Sequence, residues 1–190
     1  MANGTRCSGS HFSLYFRMGD YDWAGRFCQI YDKAVSLYRG GDRDAARFCN
    51  EAEGKFMEQI GATLQEIYDF AEDAVKDGEP DFETALLIAA ARRDFFLFVQ
   101  EGKPPAKRRR LDDFPGKADK LAGIEWLPRI IEKARARLRG ELPPELMYGC
   151  GGDRAFLRRH DLHPADFLRF VWSAREETAK IVDYVKSRAG

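Results

Sequence analysis

Ala85-Leu-Leu-Ile-Ala-Ala-Ala91 is apolar on nearly every side of a helix, and such a helix belongs at the centre of a core. It lies in a helix predicted from Phe82 to about Gln100, opened by Pro80-Asp81. Its consecutive alanines let neighbours pack closely. Three amphipathic stretches precede it. Asp22 opens a helix to about Tyr38, with Trp23, Phe27, Ile30, Tyr31, Ala34, Val35 and Tyr38 at the three- and four-residue spacing of one helix face. Gly40-Gly41 ends that helix. Asp42 opens a second, with Ala45, Cys49, Ala52, Phe56, Met57 and Ile60 on one stripe and Gly61 as its stop. Thr63-Leu-Gln-Glu66 is a capping box, in which threonine and glutamate satisfy each other's free backbone N–H groups. The third helix follows through Ile67, Tyr68, Ala71 and Val75 to Gly78.

Beyond the apolar helix the pattern breaks. Residues 102–113 form a linker, because Lys103-Pro-Pro-Ala-Lys-Arg-Arg-Arg110 joins helix-breaking prolines to a block of like charge. A helix from about Ile124 to Leu138 then puts Trp126, Ile130, Ala134 and Leu138 along one face, with Pro128 in its first turns, where a missing N–H costs little. Pro143-Pro144 makes a turn carrying Leu146 and Tyr148, and Gly149-Cys-Gly-Gly152 reads as a loop. Asp153 is expected to cap a helix over 154–160. Pro164 opens another, and Ser173-Ala-Arg-Glu176 reads as a capping box for the last helix. No run of alternating β-branched residues and no hairpin turn pair predicts a strand. The expected fold is all-α, with two helical modules. Residues 1–17 form a loose extension ahead of a more natural start at Met18, 18–101 a four-helix module, and 114–190 a four- or five-helix module after the basic linker.

The chain has 190 residues, 44% of them hydrophobic, enough to build a core. Its net charge of zero hides a split. Residues 1–102 hold 11 Lys and Arg against 18 Asp and Glu, a charge of −7, whereas 103–190 hold 20 against 13, a charge of +7. The halves either attract each other or the basic half meets a polyanion. No stretch reaches the ~20 apolar residues of a membrane helix, and no secretory signal precedes Met18. Cys7, Cys28, Cys49 and Cys150 form no C-x-x-C pair, so reduced thiols in a cytoplasm are expected, with no cofactor.

Two segments carry a resemblance. Leu121-Ala-Gly-Ile-Glu-Trp-Leu-Pro-Arg-Ile-Ile-Glu-Lys-Ala-Arg-Ala136 contains an Arg-x-Ile-x-Lys-Ala-Arg helix. Tyr148-Gly-Cys-Gly-Gly-Asp-Arg-Ala-Phe-Leu157 contains a Tyr-x-Cys-x-x-Asp-x-x-Phe-Leu segment and leads into His160-Asp-Leu-His-Pro-Ala-Asp-Phe167. Together, in this order, they resemble a bacterial family of domains of unknown function, number 5069, over about residues 114–185. The resemblance implies a fold class and a bacterial origin but no reaction.

Four groups of residues are candidates for function. Cys150 lies between glycines just before a helix start, with Asp153 and Arg154 behind it. Such a position favours a nucleophilic sulfur in general, and free N–H groups there can hold an anion. Against this, the same residues read as ordinary turn and cap chemistry, and no general base is evident. His160 and His163 are weak metal candidates, since zinc wants three or four ligands; no metal is expected. Glu66, Asp69 and Asp73 share a helix face beside Glu72, which reads as a solvated acidic surface. Lys107, Arg108, Arg109, Arg110, Arg129, Lys133, Arg135, Arg137 and Arg139 form a basic system that can neutralise phosphates, with Trp126 or Tyr148 to stack a base; salt bridges to the acidic half are the preferred reading. The favoured expectation is a binding or interaction protein that recognises a small anionic ligand or protein partner through residues 148–154, using Tyr148, Cys150, Asp153, Arg154, Arg129 and Lys133. The alternatives are an enzyme using Cys150, with Asp153 and Arg154 orienting the substrate, and a nucleic-acid binder using the basic half.

Overall fold

The computed structural model describes residues 20–188; the expected extension over 1–17 and Cys7 lie outside the described residues. Those residues form an all-α fold with eight α-helices and one small hairpin. The helices are α1 (Trp23–Arg39), α2 (Glu51–Gln59), α3 (Leu64–Asp77), α4 (Phe82–Phe98), α5 (Leu127–Arg139), α6 (Gly151–Arg159), α7 (Pro164–Ala174) and α8 (Thr178–Arg188). None of them is long and apolar enough to cross a membrane.

The apolar helix α4 is the hub. It packs against α1 on the N-terminal side and against α5 and α7 on the C-terminal side. Its small residues Ala85, Ala89 and Ala91 are buried at these contacts. One continuous apolar cluster runs from Phe27 in α1 to Val185 in α8, so the helices before and after the linker share a core. Each large side chain fully buried there, such as Phe27, Leu127 or Phe167, contributes about 1.5–3 kcal/mol relative to exposure.

Arg92 is the unexpected member of this core, 2% exposed in the middle of α4. Its guanidinium donates to the Leu138 carbonyl at 2.9 Å and to Gln100 Oε1 at 2.7 Å. Gln100 in turn donates to the Arg139 carbonyl. The carbonyls at a helix C-terminus lack intrahelical partners and carry partial negative charge, so a cation from α4 caps α5. Burial lowers the Arg92 pKa to about 10. The linker also folds back on α5. Arg109 donates its backbone N–H to Glu141, pairs with Glu132 at 2.8 Å, and lies over the Phe114 ring.

Several predicted boundaries need correction. Asp42 does not open a long helix. Asp44 caps a single 3-10 turn, Ala45–Arg47, and α2 begins later, behind a capping box of Asn50 and Glu53. Strand structure is present: β1 (Lys120–Leu121) pairs antiparallel with β2 (Ile124–Glu125) across Ala122-Gly123. Both turn residues have positive φ, 52° and 84°, the conformation that suits a two-residue hairpin. α5 therefore starts at Leu127 rather than Ile124. α6 starts at Gly151 with Cys150 as its N-cap residue, so Asp153 lies inside the helix and is not its cap. Ser173 starts nothing either. α7 continues through the buried Ala174, Ser173 bonds back to the Phe170 carbonyl, and Arg175, with φ of 53°, breaks the chain before α8. The Thr63–Glu66 capping box is present as predicted.

Candidate functional site

Arg129, Lys133 and Arg137 recur every four residues, so they share one face of α5. The middle one meets the start of α6. Lys133 is 1% exposed and Asp153 is 0% exposed. Lys133 Nζ bonds to Asp153 Oδ2 and lies 3.3 Å from Cys150 Sγ. Asp153 also accepts from the Gly149 backbone N–H at 2.9 Å and from Trp126 Nε1 at 2.9 Å. A buried ion pair is tolerable when its remaining hydrogen-bonding capacity is satisfied, and this carboxylate has three donors.

Local backbone chemistry builds this arrangement. Trp126 precedes α5 with φ of 71°, a costly conformation for a bulky residue. The hairpin and this turn bring the indole over Gly152. A Cβ on Gly152 would lie 2.6 Å from the Trp126 ring, so only glycine fits. Gly149 has φ of 83°, a region glycine occupies without penalty, and thereby turns its N–H toward Asp153. Tyr148 is buried and donates to the Pro164 carbonyl at 2.7 Å. Burial and the nearby Asp153 charge raise its phenol pKa well above the usual value.

The neighbouring cations reach across to α3. Arg154 donates to Asp73 at 2.8 Å, to Asp77 at 3.2 Å and to the Gly149 carbonyl at 2.8 Å, and its Nε lies 3.3 Å from Glu79. Arg137 pairs with Glu66, and burial lowers its pKa to about 10. Arg158 pairs with Glu79. The row Glu66, Asp69 and Asp73 is therefore not the solvated face expected of it. Burial also raises the Asp69 carboxyl to about 6, with Glu72 and Asp73 adding to the rise and a hydrogen bond from Gln65 opposing it.

A cavity of about 420 Å³ opens between these elements, within the ~300–1,000 Å³ range of ligand clefts. α3 lines it with Asp69, Glu72 and Asp73. The other wall holds Lys117, Trp126, Arg129, Lys133 and Cys150, with Glu145 and Met147 at the turn before the loop. Each of the three α3 carboxylates uses one oxygen in a hydrogen bond, to Gln65, to Tyr38 and Lys76, and to Arg154 respectively. The second oxygen of each has no bond among the described residues. Lys117 makes no ion pair there, and Arg129 gives one N–H to the Pro115 carbonyl. Open negative and open positive groups thus share one cleft.

Of the predicted site residues, Cys150, Arg129 and Lys133 line this cleft. Asp153, Arg154 and Tyr148 stand behind it, holding the loop. His160 and His163 lie elsewhere. The His160 Nδ1–H donates to the Phe156 carbonyl at 2.9 Å, while His163 accepts from the Ala165 N–H as the N-cap of α7. Among the described residues no group of three or more His, Cys, Asp or Glu is placed to hold a metal. Lys117, Glu145 and Met147 escaped sequence reasoning, since nothing in their local pattern marks them. The acidic face of α3 was visible, and its partner was too: complementary charge at helical spacing on α5 is the signal that joins them.

Part of the cleft lies in a segment that resembles a known family. Residues 116–189 match the family described as a domain of unknown function (DUF5069). The matched segment thus supplies Lys117, Trp126, Arg129, Lys133 and Cys150, while α3, which supplies the acidic wall, lies outside it. No curated protein and no solved structure matches the chain.

Proposed function

We propose that this is a cytoplasmic binding protein whose cleft between α3 and residues 148–154 takes a small ligand with an anionic group at one end and a cationic group at the other. The anionic group meets Lys117 and Arg129. The cationic group meets the open carboxylate oxygens of Asp69, Glu72 and Asp73, beside the Trp126 ring, whose face suits a cation. The observation that carries this reading is the pair of oppositely charged, incompletely bonded walls around one 420 Å³ cavity. Arg154 and Lys133, by contrast, are already matched by carboxylates, so their role is to hold the loop. The cytoplasmic setting rests on the free thiols Cys28, Cys49 and Cys150. Calorimetric titration with ω-amino acids of two to six carbons tests the proposal by varying the charge separation. One length is expected to bind best, and Lys117→Ala or Arg129→Ala to weaken it about tenfold, the loss of one charged contact. Absence of saturable binding at any length rejects it.

A second reading makes Cys150 a nucleophile, favoured by the Lys133 ammonium 3.3 Å from its sulfur. Asp153 and Arg154 then act as positioning residues, one by anchoring Lys133 and the other by fixing the Gly149 carbonyl. Alkylation followed by peptide mass spectrometry decides it. The reading requires Cys150 to react faster than a free cysteine and the Lys133→Met protein to lose that advantage.

A further inference from the structure

Arg137 carries a terminal nitrogen with nothing to bond. It is 2% exposed. Its Nη1 is matched by Glu66, while Nη2, with two N–H groups, is buried without a partner. A charged donor left this way is costly in a core, and it points to a missing acceptor. Arg137 lies on the wall of a second, smaller cavity of about 30 Å³. This cavity adjoins the cleft at Asp69, Pro144, Leu146 and Met147, and it extends away from the cleft toward Arg108 of the linker. Arg108 is exposed and makes no ion pair among the described residues. Thus a buried guanidinium with one vacant nitrogen and a second, uncommitted guanidinium line the same small space. Phe70, Leu142 and Leu146 close its sides.

We propose that this cavity is a carboxylate-binding site, in which the anion accepts from Arg137 Nη2 and is covered by Arg108. The size fits a small head group alone, since a cavity of this kind needs only about 10–15 Å³ to hold one water. A bound water would satisfy one N–H but would bring no charge for Arg108 to meet. Glu66 does not repel the anion strongly, because Arg137 Nη1 already neutralises it. Asp69 is the remaining negative group. Its carboxyl titrates near 6, so it can take up a proton to offset the incoming charge. The site is separate from the zwitterion cleft and does not depend on Lys117 or Arg129.

Sodium formate is the probe, titrated against the full chain at constant ionic strength with melting temperature as the readout. Wild type is expected to show a saturable rise. Arg108→Ala, a surface change that spares the fold, is expected to weaken the apparent affinity at least about tenfold, the scale of one charge-assisted hydrogen bond. Arg137→Lys is expected to remove the saturable rise while keeping the Glu66 partner, and Lys107→Ala, an exposed linker cation that lines neither cavity, to leave the affinity unchanged. If Arg137→Lys fails to fold, Arg108→Ala still decides. A wild type without a saturable rise, meaning a cavity that holds water only, overturns the proposal. So does equal affinity in Arg108→Ala, and so does an equal loss in Lys107→Ala, which would make the rise a matter of general linker charge.

Discussion

Lys133 and Arg137 stand one turn apart on the same face of α5, both almost fully buried and each paired with a carboxylate. They differ in what is left over. Around Lys133, Asp153 receives three donors and the lysine has the Cys150 sulfur as a second contact. Around Arg137, a whole nitrogen remains vacant beside a cavity. The saturated charge fixes a loop, and the vacant nitrogen beside a cavity is the one proposed to meet a ligand. A related contrast separates Arg154, which meets three carboxylates, from Lys117, which meets none among the described residues.

The largest effect should come from breaking the saturated region. Asp153→Ala leaves Lys133 charged and unpaired and strips acceptors from Trp126 and Gly149, so urea denaturation should show a loss of about 3–5 kcal/mol. A cost below about 1 kcal/mol would show that the pair is not the anchor described. Gly152→Ala should come next, at about 1–3 kcal/mol, because its Cβ meets the Trp126 ring at 2.6 Å. Trp126→Ala in the same protein should recover most of that overpacking term.

Asp69 gives a smaller effect of opposite sign. Its folded pKa, about 6, lies above the ordinary value of about 4. A raised folded value means that the stability of the neutral acid is fully present below about pH 4 and is lost as pH rises through about 6. Asp69→Asn should therefore stabilise the protein at pH 8 by on the order of 1 kcal/mol and do little at pH 4. Destabilisation at pH 8 would contradict the burial argument. Lys117→Ala should be the smallest change to the fold, within about 0.5 kcal/mol, while still weakening cleft binding.

The helices were readable because their apolar residues recur at helical spacing and because the Thr63–Glu66 cap and Gly78 stop are local signals. The apolar run at 85–91 also placed α4 at the centre. What local signals missed was decided by distant partners. The Ala122-Gly123 hairpin is only two residues deep on each side, and alanine does not announce a left-handed turn. Asp153 looked like a cap because Asp often is one, but a buried lysine, an indole and a backbone N–H drew it inside α6. The acidic row of α3 looked solvated because sequence alone did not show that Arg137 and Arg154 come over it. The −7 and +7 halves did hold part of the answer, since several of their charges meet in pairs such as Glu66–Arg137 and Asp73–Arg154.

The most direct test of the cleft is where a bound zwitterion acts. In ¹⁵N-labelled protein titrated with the best-binding ω-amino acid, the Trp126 indole N–H and the backbone amides of residues 150–152 should shift together and saturate at one affinity. Saturating shifts that leave Trp126 and residues 150–152 unmoved would contradict the account.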